Sequence, residues 1–279
     1  MMKMPNKKYL NNDLIGEIDN DNTYQSTFDV SQNSKIEYLI NQSKFKEALS
    51  LINEALKNED NYANWNLKAL ILDNLEKYDE SIECYDKALL LNPSDEIKIN
   101  KANTIYKYAK ILFFPKSEYE QALNLINQAI DLIEEIDDVS EFYFLKAEIL
   151  EATGKLVDAK KSYLIAYGEF EKLKELENQI EYLKNTNDIL INITGGYFYD
   201  FTPEEGLVVK LECEEDNEHD PDAICVCLDG EKIGYVANSE YTLMKCANSA
   251  SKIKNKISKD SKAEILFIYL DQYVVAKLI

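Results

Sequence analysis

The sequence predicts an α+β protein: about four pairs of amphipathic helices with a capping helix, followed by a small β-barrel. Three observations carry this reading. An order of large and small residues at helical spacing recurs along the first two thirds of the chain. The texture then changes near Ile189 to short apolar alternations punctuated by Gly and Asp-Gly. The chain has 279 residues and 46% hydrophobic content, enough for about two packed domains.

The repeat is clearest from Tyr62 to Asp95. Trp65, Ala69 and Leu72 share one helix face, and Tyr78, Ser81, Tyr85 and Ala88 share the next. A Gly-free turn at Leu75–Lys77 separates the two runs, and Pro93 stops the second. Ala69, Ser81 and Ala88 fall where two helices must approach closely, with bulky neighbours filling the space beside them. Upstream, Phe45, Ala48, Ile52 and Ala55 repeat the second-helix set. Downstream, Tyr119, Ala122, Ile126 and Ala129 do so again, after an insertion at Lys110–Lys116. Tyr143, Ala147, Leu150, Gly154, Leu156, Ala159, Tyr163 and Ala166 form a fourth copy. The pattern resembles the tetratricopeptide repeat (TPR), a helix-turn-helix unit that buries its apolar face only by stacking on copies of itself.

The expected division of the chain follows. Residues 1–28 are rich in Asn, Asp and Lys and read as a flexible tail. Residues 29–187 form the repeat domain. Its last segment, Glu169–Lys184, is a charged helix with Phe170, Leu173, Leu176, Ile180 and Leu183 on one face, suited to cap the array. Residues 188–279 form the barrel. Its expected strands are Leu207–Leu211, Ala223–Leu228, Lys232–Val236, Ile265–Leu270 and Val274–Leu278, with a hairpin at Asp229–Gly230 and one helix over Ser239–Ala250.

Net charge is −20, which argues against bulk attraction to nucleic acid or anionic membrane and leaves basic partners, or a locally basic patch, open. No apolar run of about 18 residues occurs, so no membrane span is expected. The N-terminus lacks an apolar leader core, so a cytoplasmic location is expected. Five scattered cysteines without CxxC spacing fit that location. Cys225 and Cys227 alternate along a strand and face one side; the expectation is two reduced thiols and no metal. His219, the single histidine, sits in an acidic turn and is not expected to bind a cation. Phosphate-loop, nucleophile-elbow and protein-kinase motifs are absent from the sequence, and no cofactor or enzymatic activity is expected.

Three pieces of the C-terminal region resemble a HIRAN domain, a small β-barrel module: Gly195–Asp200 (GGYFYD), Leu211–Val226 (LECEEDNEHDPDAICV) and Asp229–Ala237 (DGEKIGYVA). The resemblance implies capture of a single-stranded DNA 3′ end, with Tyr197, Phe198, Tyr199, His219, Asp220, Tyr235 and Asn238 at the family's binding positions. Lys252, Lys254 and Lys256, in a lysine-rich stretch from Ser251 to Lys262, are candidate phosphate contacts. The chain departs from the family pattern at Cys213, where an Arg is frequent, and at Glu215 and Glu218, where prolines are expected. Tyr197 and Asn238 stand where basic residues are expected. Read without the family, Asp220 and Asp222 fix a turn. Gly234 permits a bulge or close backbone approach. At least one of the adjacent aromatics at 197–199 is exposed, because three neighbours on a strand cannot all face inward.

By the geometry of the TPR, first-helix residues line a groove. Here they are Asn33, Glu37, Asn41, Asn66, Leu70, Asp73, Asn74, Lys107, Tyr108, Phe144 and Glu148. They include no Lys/Arg set for clamping a C-terminal carboxylate, so an apolar or basic segment is the expected ligand. The function expected is a non-enzymatic adaptor that binds a protein or peptide in this groove and couples it to a barrel that takes a DNA end. The alternative is a purely protein-interacting scaffold without nucleic-acid binding, and a hydrolase accessory factor ranks last.

Overall fold

The computed structural model describes residues 27–279, with side chains from Ser34 onward. The tail expected at residues 1–28 falls, but for its last two residues, outside them. The chain divides into two compact units, one ending at Ile97 and one running Lys98–Ile279.

The first unit holds α1 (Thr27–Asn41), α2 (Phe45–Asn58), α3 (Tyr62–Asn74) and α4 (Tyr78–Leu91). The small residues do what their spacing implied. Ala48, Ala69, Ser81 and Ala88 are fully buried, as is the large Tyr85. Where α3 and α4 approach, the Ser81 hydroxyl donates to the Ala69 carbonyl at 2.8 Å. Trp65 sits at the edge of this core instead of filling it. Its indole N–H donates to Asp60 at 2.5 Å, and the Lys87 ammonium lies 4.3 Å from its ring centroid. Helix α3 starts on Asn61, whose side chain accepts from the Asn64 N–H at 2.8 Å. It ends with Glu76 in the left-handed region (φ 58°), and the Lys77 N–H reaches back to the Leu72 carbonyl at 2.9 Å. The same turn recurs at Ser43 (φ 56°).

In the second unit a left-handed residue again ends a helix at Ser117 and at Gly154, with backbone bonds from the Glu118 N–H to the Leu112 carbonyl and from the Lys155 N–H to the Leu150 carbonyl. Helices α5 (Asp95–Phe113), α6 (Tyr119–Ile133), α7 (Ser140–Ala152), α8 (Leu156–Ala166) and α9 (Phe170–Asn185) complete the repeats. The insertion seen in the sequence lengthens one helix: α5 has 19 residues where α3 has 13.

Six strands follow: β1 (Leu190–Thr194), β2 (Val208–Cys213), β3 (Ile224–Leu228), β4 (Glu231–Val236), β5 (Lys262–Tyr269) and β6 (Tyr273–Leu278). They close into a barrel in the order β1-β4-β3-β2-β5-β6, every neighbour antiparallel. Closure removes the unpaired sheet edges. Ile191, Ile193, Val209, Leu211, Ile224 and Val226 are among the residues filling its interior. The hairpin at Asp229–Gly230 has positive φ at both residues, as a two-residue turn of the I′ kind requires. Gly234 sits where β4 meets β1: a Cβ there would lie 2.6 Å from the Thr194 carbonyl oxygen.

Three expectations are corrected. Strand β1 was not expected, because Leu190 to Ile193 are all buried and show no alternation. One face of β1 fills the barrel; on the other, Leu190 joins a second core with Leu164, Leu176, Met244, Tyr269 and Val275. Helix α9 therefore does not simply cap the repeats with a polar back. Its Leu173, Ile180 and Leu183 pack on this second core, and Tyr182 meets Phe267 edge-on at 6.0 Å. Nor do residues 239–250 form one helix. The buried Asn192 side chain donates to the Thr242 carbonyl (2.9 Å) and accepts from the Met244 N–H (3.0 Å), tying the segment into an irregular path. Only the four-residue α10 (Ala250–Ile253) is helical.

Candidate functional site

The expected groove residues fall on both units. In the first, Asn33 lies on α1, its side chain outside the described residues. Glu37, Asn41 and Asn74 are exposed. Leu70 packs against the α3–α4 core and Asp73 is buried, so neither faces solvent freely. Asn66 is half-buried.

In the second unit, Lys107 is exposed and Tyr108 half-buried on α5, while Phe144 and Glu148 lie one turn apart on α7. Around Phe144 the structure gathers what the sequence reading missed. Tyr163 and Tyr167, one turn apart at α8 and its C-cap, meet its ring edge-on at 5.5 and 6.1 Å and stack on each other at 6.4 Å. Burial, together with the hydrogen bond its hydroxyl donates to Glu151 at 2.8 Å, holds the Tyr163 pKa well above that of a free phenol. Burial pushes the Glu148 carboxyl up, opposed by Lys110 and reinforced by Glu151. The result is a three-ring cluster flanked by two carboxylates, Tyr167 being 42% exposed. Tyr163 belongs to the fourth repeat copy by its spacing. Its spacing of four from Tyr167 was the available sign of a surface pair.

On the barrel, Tyr197–Tyr199 form a 3₁₀ turn (Gly196–Tyr199) rather than a strand. Tyr197 and Phe198 are 93% and 84% exposed, with rings edge-on at 5.9 Å. Tyr197 lines a half-open cavity of about 440 Å³ together with Phe201, Tyr241 and Tyr273. Tyr235 is instead held in a polar cluster. Its hydroxyl donates to Glu214 at 2.9 Å and accepts from Lys232 at 2.9 Å, while Lys232 also pairs with Glu214. Asn217 donates to the same carboxylate at 2.7 Å. Lys232 and Asn217 hold the Glu214 carboxyl below its usual range, and Glu214 and Tyr235 hold the Lys232 ammonium above its own.

Asp220 fixes its turn as expected: its carboxylate accepts from the Asp222 N–H (2.9 Å) and the Asn238 amide (2.8 Å). His219 is exposed, its backbone N–H bonded to Asn217. Lys252 and Lys256 are exposed, whereas Lys254 binds the Pro221 carbonyl and Asp222. The lysine stretch thus engages the acidic turn through Lys254, and the charged groups that contact the Tyr235 hydroxyl are Glu214 and Lys232.

Among the described residues, no helix is long and apolar enough to cross a membrane. Residues 64–95 match the tetratricopeptide repeat family, the stretch containing most of α3 and all of α4. The helix-pair geometry of that segment recurs in α1–α2, α5–α6 and α7–α8. The chain is also similar to solved structures of MamA. One crystal structure shares 13% identity over 52% of this chain and 80% of that one, with a TM-score of 0.38. A MamA fragment from Desulfovibrio magneticus RS-1, 41-end, shares 16% over 56% and 98%, with a TM-score of 0.37. No curated protein matches the chain.

Proposed function

We propose that this chain is a non-enzymatic protein-interaction scaffold whose α7–α8 face holds a basic side chain of a partner segment. The observation that carries the reading is the cluster of Phe144, Tyr163 and Tyr167 beside Glu148 and Glu151. Aromatic faces attract Lys or Arg by about 0.5–2 kcal/mol each, depending on desolvation, and prefer the guanidinium. Adjacent carboxylates add charge complementarity, and the net charge of −20 steers basic partners toward the surface.

The test is fluorescence anisotropy of the full chain with labelled Arg/Lys-containing peptides and with Glu-substituted copies, at low and at physiological salt. Preferential binding of the basic set, weakened about tenfold or more by Phe144→Ala or Tyr167→Ala, supports the reading; a tenfold change corresponds to about 1.4 kcal/mol. Equal binding of both sets, or unchanged affinity in both variants, rejects it.

In this reading the barrel is a HIRAN-like module that adds a second contact. The exposed Tyr197–Phe198 pair favours a second reading for it, stacking on the bases of a single-stranded DNA end. Glu214 on Tyr235 and the engagement of Lys254 weigh toward a protein contact instead. Titration with short 3′-OH single strands at low salt separates the two.

A further inference from the structure

Strands β2 and β3 bring a different constellation together on the outer wall of the barrel. Their register places Glu212 opposite Cys225 and Lys210 opposite Cys227. Because side chains alternate along a strand, Cys225 and Cys227 project on the same side, away from the interior residues Ile224 and Val226. Their sulfurs lie 3.7 Å apart. Sulfur and carboxylate ligand atoms of Glu212, Cys225 and Cys227 all fall within 4.8 Å of one another. We propose that Cys225, Cys227 and Glu212 form a binding site for a divalent cation of the zinc class.

The distances discriminate between the uses two neighbouring thiols can have. Two thiolates bound at about 2.3 Å to one tetrahedral ion stand about 3.8 Å apart. The observed separation needs almost no adjustment to reach that geometry. A disulfide needs sulfurs at about 2.05 Å and Cα atoms no farther than about 6.8 Å. Positions two apart on an extended strand already stand at about that limit. The strand therefore sets the pair for a shared ion rather than for a covalent bridge.

The donor set selects the metal. Two soft thiolates with one carboxylate suit zinc and exclude magnesium and calcium, which require an oxygen shell. Three protein ligands leave a fourth position for water or for a partner's side chain. Glu212 also pairs with Lys210 at 2.6 Å. A carboxylate has two oxygens, so one can keep the lysine while the other binds the ion, the usual arrangement of a ligating carboxylate and its outer partner. Lys232, Glu214 and Tyr235 border the cysteines from β4 and the β2–β3 loop and shield one side of the site. The balance of the step is simple: two thiols lose two protons to solvent as two sulfur–metal bonds form, and nothing is oxidised or reduced.

The experiment uses the full chain, reduced and stripped of metal. Zinc is titrated in competition with a colorimetric chelator, and cobalt(II) is titrated with its absorption recorded. The expected result is one ion per chain, with thiolate-to-cobalt charge transfer and the visible bands of a tetrahedral ion. Cys225→Ser and Cys227→Ser should each abolish the charge-transfer band or weaken it sharply, while Cys213→Ser and Cys246→Ser leave it intact. Glu212 is exposed, so Glu212→Gln preserves the barrel; it should retain both thiolates but bind zinc about tenfold or more weakly. Where a cysteine variant loses its native circular dichroism, Glu212→Gln decides. Substoichiometric uptake by the native chain, or undiminished uptake in Glu212→Gln and the cysteine variants, overturns the assignment.

Discussion

Replacing Gly234 by Ala tests the closure of the barrel where β4 meets β1. An added Cβ would lie 2.6 Å from the Thr194 carbonyl oxygen and 3.2 Å from Ile193 Cγ2. Close carbon–oxygen contacts in sheets lie near 3.3 Å, so β1 and β4 must separate by about 0.7 Å. The obstacle is backbone, not a flexible side-chain tip, and the movement falls on the ladder that pairs Ile193 with Val236 and Thr194 with Tyr235. Overpacking of this kind costs about 1–3 kcal/mol. For a unit of this size each kcal/mol lowers Tm by about 2–4 °C, giving a drop of about 2–12 °C. Calorimetry of the full chain reads it directly. A Tm unchanged to within about 1 °C would refute the close approach and the role given to this glycine.

Ala88→Leu should overpack the fully buried contact between α3 and α4 and destabilise the first unit by about 1–3 kcal/mol, read by urea denaturation. Glu76→Gly should do the reverse, since a side chain held at φ 58° is strained and Gly is not; a gain of up to about 1 kcal/mol is expected in the same assay. For Glu148, burial raises the folded pKa, so its ionised form opposes folding and that penalty is relieved as pH falls through the raised value. Glu148→Gln should therefore narrow the stability difference between neutral and mildly acidic pH while weakening binding of basic peptides. Glu214 has the opposite sign: its folded pKa is depressed, so its contribution is present above the ordinary carboxylate range and lost as pH falls through the lower value. Lys232→Ala should remove part of that acid-side loss, measured as Tm against pH.

The repeats were legible because small residues have a single reason to recur at fixed helical spacing. Ala69, Ser81 and Ala88 mark where backbones meet, and their complete burial follows. The barrel was legible where its strands alternate and its turn carries Asp-Gly. It was not legible at β1, where packing on both faces erased the alternation. The 239–250 segment was missed because its path is set by Asn192, some 50 residues away, a contact that no local pattern encodes. The barrel aromatics were found but their backbone was not, since a 3₁₀ turn leaves little periodic trace. The repeat geometry places Phe144 and Glu148 on one face of α7, while Tyr163 and Tyr167 join Phe144 only once α8 lies against α7. The pairing of Glu212 with Cys225 depends on strand register, which the sequence of either strand alone does not specify.

Because Leu176 of α9 and Leu190 of β1 share one apolar layer, no slack tether joins the last helices to the strands that follow. A segment bound at α7–α8, as proposed, would be carried on the same packed unit as Tyr197 and Phe198. Two ligands that bind these places together must match the spacing of the two places, and a linker between them gains avidity only over a narrow range of lengths. Shortening the chain at residue 187 would strip α9 of its backing, so a working fragment has to keep both.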